Sequence, residues 1–108
     1  MKMNREKQLT KERPQSLRVV SPLLYQSILI ELEKQNIHSY DVQIDAVKGN
    51  KGIHIILKYG ESFTHQKEQS FTNHAIEKNS SEIAEFVKKA GETCKEVMIN
   101  EYFKMMRP

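Results

Sequence analysis

The sequence predicts an α+β domain in the order helix, three strands, helix (αβββα), with a mostly antiparallel sheet and both helices on one of its faces. Three observations carry this. Apolar residues recur at helical spacing from Leu24 to Leu32 and again from Ile83 to Met105, and between them apolar and polar residues alternate at strand spacing around a turn rich in lysine and glycine. With 108 residues and 38% hydrophobic content the chain makes one domain with a modest core, so partner contacts are expected.

Residues 1–18 read as a disordered basic arm and 19–108 as the single α+β domain. The stretch "MKMNREKQLTKERPQS" is polar and aperiodic, with little apolar surface to offset the entropy of ordering it. The net charge of +3 belongs to this arm: residues 1–20 hold six basic and two acidic side chains, while the remainder of the chain holds 11 basic and 12 acidic ones. No apolar run reaches the ~20 residues of a membrane span, and no secretory block opens the chain. With one cysteine, Cys94, this makes a cytoplasmic location the expectation. Asn79-Ser80-Ser81 matches a glycosylation sequon, but reads better as a helix start.

The first helix opens at "SPLLYQSILIELEKQ", with Ser21 as N-cap and Pro22 at the first helical position. Leu24, Ile28 and Leu32 form its apolar stripe, widened by Tyr25 and Leu29, and the helix ends near Asn36. "DAVKGNKGIHIILKYG" follows as a hairpin. Placing Gly49 and Asn50 at the centre of a type II′ turn pairs Lys48 with Lys51, Asp45 with His54, Asp41 with Lys58 and Tyr40 with Tyr59. Tyr40, Val42, Ile44, Ala46, Ile53, Ile55, Leu57 and Tyr59 then share one core face. A register shifted by two residues, centred on Asn50 and Lys51, keeps the same faces but gives up the Asp45–His54 and Asp41–Lys58 pairings, so the first is preferred. The lysines thus decorate a hairpin tip, which lacks the spacing and the Lys-Ser/Thr ending of a phosphate-binding P-loop.

Residues 61–75 carry Phe63, His65, Lys67, Gln69 and Phe71 on alternate positions, giving one long strand or two short ones with a wholly polar opposite parity, as suits an edge. A second helix runs from about Ser80 to Met105, capped by Asn79 or Ser80. Its apolar face is Ile83, Phe86, Val87, Ala90, Cys94, Val97, Met98 and Met105.

Among residues with chemistry, His54 beside Asp45 is the one arrangement that suggests a base oriented by a carboxylate, and it lacks a nucleophile. His38, His65 and His74 have no zinc-like spacing, although His65 and His74 could meet across a turn, and Cys94 lies on the helix stripe as a small hydrophobe. No metal or cofactor is expected. The order helix, three strands, helix resembles double-stranded-RNA-binding domains and the YbaB-type nucleoid-associated proteins. The first family opens its second helix with Lys-Lys-x-Ala-Lys, whereas Ser81-Glu82-Ile83-Ala84-Glu85 stands here; the second has a longer first helix. Neither family is assigned.

The expectation is therefore a non-enzymatic binding or regulatory protein, self-associating as a homodimer or meeting a protein partner. The candidate ligand or partner surface is Asp41, Asp45, His54, Ile56 and Lys58 on the open sheet face. The long helix should overhang its sheet and present Tyr102, Phe103, Met105 and Met106 as dimer contacts. The alternative is a nucleic-acid-binding protein that uses the arm with Lys48, Lys51, Arg13 and Arg18 as phosphate contacts.

Overall fold

The computed structural model describes residues 13–78 and 80–106, with Met105 and Met106 described by backbone only. A two-residue strand, β1 (Gln15–Ser16), leads into a single helical turn, α1 (Leu17–Val20), and then into α2 (Pro22–Glu33). The hairpin β2 (Val42–Lys48) and β3 (Gly52–Tyr59) is followed by β4 (His65–Thr72), a short helix α3 (Asn73–Glu77) and the long α4 (Ser81–Met106). The strands form one antiparallel sheet in the order β1-β2-β3-β4.

Local chemistry sets the helix ends. Pro22 stands at the start of α2, where its missing N–H costs nothing, and Asn36 takes the left-handed conformation (φ 65°) just past the helix. Ser80 caps α4 by accepting the Glu82 N–H at 3.3 Å, and Thr72 caps α3 by accepting the Ala75 N–H at 3.1 Å. Leu24, Ile28 and Leu32 from α2 and Ile83, Phe86, Val87, Ala90 and Cys94 from α4 join Val42, Ile44, Ala46, Ile53, Ile55, Leu57 and Tyr59 in one core. All of these are buried, so alternation along the strands and helical periodicity on either side meet in a single apolar layer. Phe71 is the one buried residue of β4; its ring packs edge-on against Phe86 of α4, centroids 5.6 Å apart.

The sheet has four strands rather than three, because Gln15 and Ser16 pair with Ala46 and Asp45. Leu17, placed in the arm by the sequence reading, is fully buried in the core. One apolar side chain after a polar run shows no periodicity, which is why residues 15–18 read as arm. Residues 1–12 of that arm lie outside the described residues. Residues 61–75 contain a single strand, β4, preceded by a turn in which Ser62 and Phe63 both have positive φ. Tyr40 is not on the core face: it sits in a 3-10 turn (Ser39–Asp41), 77% exposed, and stacks on His38.

The hairpin register is the one shifted by two residues. Ile44 faces Leu57, Asp45 faces Ile56 and Val47 faces His54, with Asn50 and Lys51 between Gly49 and Gly52 at the turn. Core burial cannot choose between the two registers, because both bury the same side chains. Asn73 favours the observed one: its backbone N–H donates to the Lys51 carbonyl at 2.9 Å and its side-chain amide to the Asn50 carbonyl at 3.1 Å. Neither central residue, Asn50 nor Lys51, has positive φ, so the turn is not type II′. Of the two glycines flanking the turn, the one the fold requires is Gly52, where a Cβ would lie 1.9 Å from the Phe71 carbonyl oxygen; at Gly49 the nearest atom would be an ordinary 3.7 Å away.

Gly52→Ala should therefore destabilise the domain by at least about 3 kcal/mol, the upper end of overpacking costs. Gly49→Ala should stay within about 0.5 kcal/mol of the parent. Urea unfolding midpoints of the two variants check this contrast.

Candidate functional site

The wet face of the sheet is built from the strand positions that alternate with the core. On β2 these are Gln43, Asp45 and Val47, on β3 His54, Ile56 and Lys58, and on β4 Gln66, Glu68 and Ser70. The observed register brings four of the five expected surface residues together and separates them into two polar groups around Ile56.

In the first group, Asp45 Oδ2 accepts from Gln43 Nε2 at 2.9 Å and lies 3.3 Å from Lys58 Nζ. Asp45 is 9% exposed, the one buried charged residue among those described. Lys58 reaches it diagonally, because the residue directly opposite Lys58 is Gln43. In the second group, His54 Nδ1 is 2.7 Å from Ser70 Oγ and Nε2 is 2.6 Å from Glu68 Oε1. The other Glu68 oxygen accepts from Gln66 Nε2 at 2.6 Å. The hydrogen bonds from His54 and then from Gln66 hold the Glu68 carboxyl below the usual carboxylate range. Ile56 lies between the two groups and is itself only 9% exposed, so it offers little surface to a ligand.

His54 and Asp45 are thus not partners, since Val47 rather than Asp45 lies across from His54. Asp41 is not on this face. Its Oδ2 accepts the His38 N–H at 2.9 Å and closes the 3-10 turn instead. The sequence reading missed Ser70 and Glu68 because it assigned no pairing to the third strand. Their parity, polar at every second position, was the signal available.

Elsewhere, Lys48 and Lys51 are exposed at the hairpin tip, and Arg13 and Arg18 are exposed at either side of β1. Tyr102 and Phe103 are exposed by 59% and 62% and pack edge-on against each other, with Ile99 exposed one turn earlier. Glu101 anchors this end of α4 by accepting the Glu61 N–H with both carboxylate oxygens, at 3.0 and 3.1 Å. A cavity of about 340 Å³ beside it is lined by Tyr40, Phe63 and Met98 together with Glu61 and Glu101. The side chains of Met105 and Met106 lie outside the described residues.

Cys94 is fully buried and donates its S–H toward Met98 Sδ at 3.4 Å. Burial pushes its thiol up to about 11, with the charges of Asp41 and Glu101 adding to the effect, so the thiolate is not formed at neutral pH. His65 opens β4 and His74 lies in α3, beyond the far end of that strand, so the two do not meet; His65 stacks on Tyr59. No group of His, Cys, Asp and Glu among the described residues is arranged to hold a metal ion, and none of the described helices is long and apolar enough to cross a membrane. Compared with protein-family models, curated proteins and solved structures, the chain has no significant match in any of the three.

A double-mutant cycle separates the two registers by energy. Asp45→Asn with Lys58→Met should give a coupling of about 1 kcal/mol in unfolding free energy, at the upper end for a partly exposed ion pair. Asp45→Asn with His54→Ala should be additive within about 0.3 kcal/mol.

Proposed function

We propose that the protein is a small binding protein that self-associates through the exposed end of α4. One observation carries this reading: Ile99, Tyr102 and Phe103 stand clear of the core on a helix end that Glu101 pins to the β3–β4 turn. A fraying terminus needs no such anchor. Aromatic side chains are enriched in the cores of protein interfaces, and those of Tyr40 and Phe63 add apolar surface across the neighbouring cavity. Sedimentation equilibrium of the full chain should show a dimer at micromolar concentration. Tyr102→Ser with Phe103→Ser should weaken it at least tenfold, about 1.4 kcal/mol, while leaving the unfolding midpoint within error. A monomer at every concentration, or a dimer indifferent to both substitutions, contradicts this reading.

A second reading, nucleic-acid binding, is favoured by the pairing of β1. Antiparallel to β2, with Gln15 against Ala46 and Ser16 against Asp45, β1 brings the chain in from the end of the sheet where Lys48 and Lys51 are exposed. Arg13 therefore enters beside those lysines. Such a grouping suits phosphate backbones, read by charge rather than by base edges. Anisotropy titrations with labelled duplex and single-stranded oligonucleotides between 50 and 200 mM salt test it. Lys48→Ala with Lys51→Ala should lower the salt slope by about two on a duplex. Binding without salt dependence removes this reading and leaves the first intact.

A further inference from the structure

Ser70, His54 and Glu68 form a continuous hydrogen-bonded chain that neither binding reading uses. All three sit on paired strands: His54 and Ser70 are direct cross-strand partners, and Glu68 precedes Ser70 on the same face. The ladder fixes their spacing better than a loop would. A cavity of about 500 Å³ opens in front of His54 and Ser70, bounded by Val47 and by the hairpin tip from Gly49 to Gly52, with Lys51 on its lining.

The order of the bonds decides the chemistry. An ionised carboxylate only accepts hydrogen bonds, so with Glu68 ionised the neutral imidazole carries its one proton on Nε2, and Nδ1 presents its lone pair to Ser70. The Ser70 hydroxyl must then donate to Nδ1. A hydroxyl donating to a base that a carboxylate orients is the arrangement that activates a serine. The hydrogen bonds that keep Glu68 acidic secure its ionisation at neutral pH.

We propose that Ser70 is a nucleophile, with His54 as its general base and Glu68 as the positioning carboxylate, and that the cavity at the hairpin tip admits small acyl esters. Ser70 Oγ bonds to the carbonyl carbon while its proton passes to His54 Nδ1. The bond to the leaving alkoxide breaks as the imidazolium returns that proton, releasing the alcohol. Water then attacks the acyl-serine, giving its proton to Nδ1, and the acid leaves as Ser70 regains a proton from the ring. Lys51 supplies positive charge for the oxyanion formed in each half. This assigns the open face an activity beyond the non-enzymatic role expected from the sequence, and it is independent of self-association and of nucleic-acid binding.

The test uses the full chain with an alkyl fluorophosphonate, which phosphonylates activated serines, and p-nitrophenyl acetate as the ester. Peptide mapping should place a single adduct on Ser70, absent after heat unfolding and in Ser70→Ala. His54→Ala should slow both labelling and hydrolysis by at least ~100-fold, the low end for general-base catalysis. Glu68→Gln should slow them by roughly tenfold, a loss that Glu68→Asp partly restores. Circular dichroism establishes that each variant folds; should His54→Ala not fold, the Glu68→Gln and Glu68→Asp pair decides in its place. Absence of a Ser70 adduct on the folded chain overturns the proposal. So does labelling at the parent rate in a folded His54 or Glu68 variant, the result expected if the three residues only tie the strands together.

Discussion

Strand β3 is paired on both sides, and its position is fixed most tightly where Gly52 passes the carbonyl of Phe71. No side chain fits there, so β3 and β4 can approach this closely only with glycine at that point. One residue beyond Thr72, Asn73 takes the two turn carbonyls of Lys51 and Asn50. Strand β4 and the Asn73 that follows it thereby set the hairpin, not the reverse. Every position on the open face follows from that setting, including which carboxylate meets Lys58 and which meets His54.

The two faces of the sheet do different work. The apolar face receives both helices and accounts for nearly all of the core, yet it holds β4 only through Phe71, since the other β4 residues are exposed. The edge strand therefore depends on its backbone ladder with β3 and on polar contacts across the open face. His54, bonded to both Ser70 and Glu68, is the principal side-chain tie between β3 and β4 there. Exposed polar pairs of this kind contribute roughly 0.2–1 kcal/mol each, enough to bias a register but not to make one. The backbone contact at Gly52 supplies the steric constraint and the side chains confirm it.

The helices and the two faces of the hairpin were legible because periodicity reports them directly: Leu24, Ile28 and Leu32 are buried as spaced, and so are Ile83, Phe86, Val87, Ala90 and Cys94. Register was not legible, since a shift of two residues leaves burial unchanged. Preferring charge pairs within the hairpin misassigned Asp45 and His54, whose partners are Lys58 and, on β4, Glu68. Tyr40 and Asp41 continue the alternation in sequence but lie in a 3-10 turn that the Asp41 carboxylate closes on His38. Leu17 carried no periodic signal at all. Its burial comes from β1 pairing with β2, a contact between segments about 30 residues apart whose only trace is one leucine among polar neighbours.

The arrangement of the open face rests on the hairpin register, and NMR measures that register directly. With Gly49 N–H bonded to the Gly52 carbonyl, the pairs Ala46–Ile55 and Ile44–Leu57 fall at the non-hydrogen-bonded sites of the ladder, where opposing Cα atoms approach to about 4.5 Å. Strong Hα–Hα cross-peaks between Ala46 and Ile55 and between Ile44 and Leu57 are the predicted result. Cross-peaks from Ala46 to Ile53 and from Ile44 to Ile55 would put Asp45 across from His54 and contradict the account.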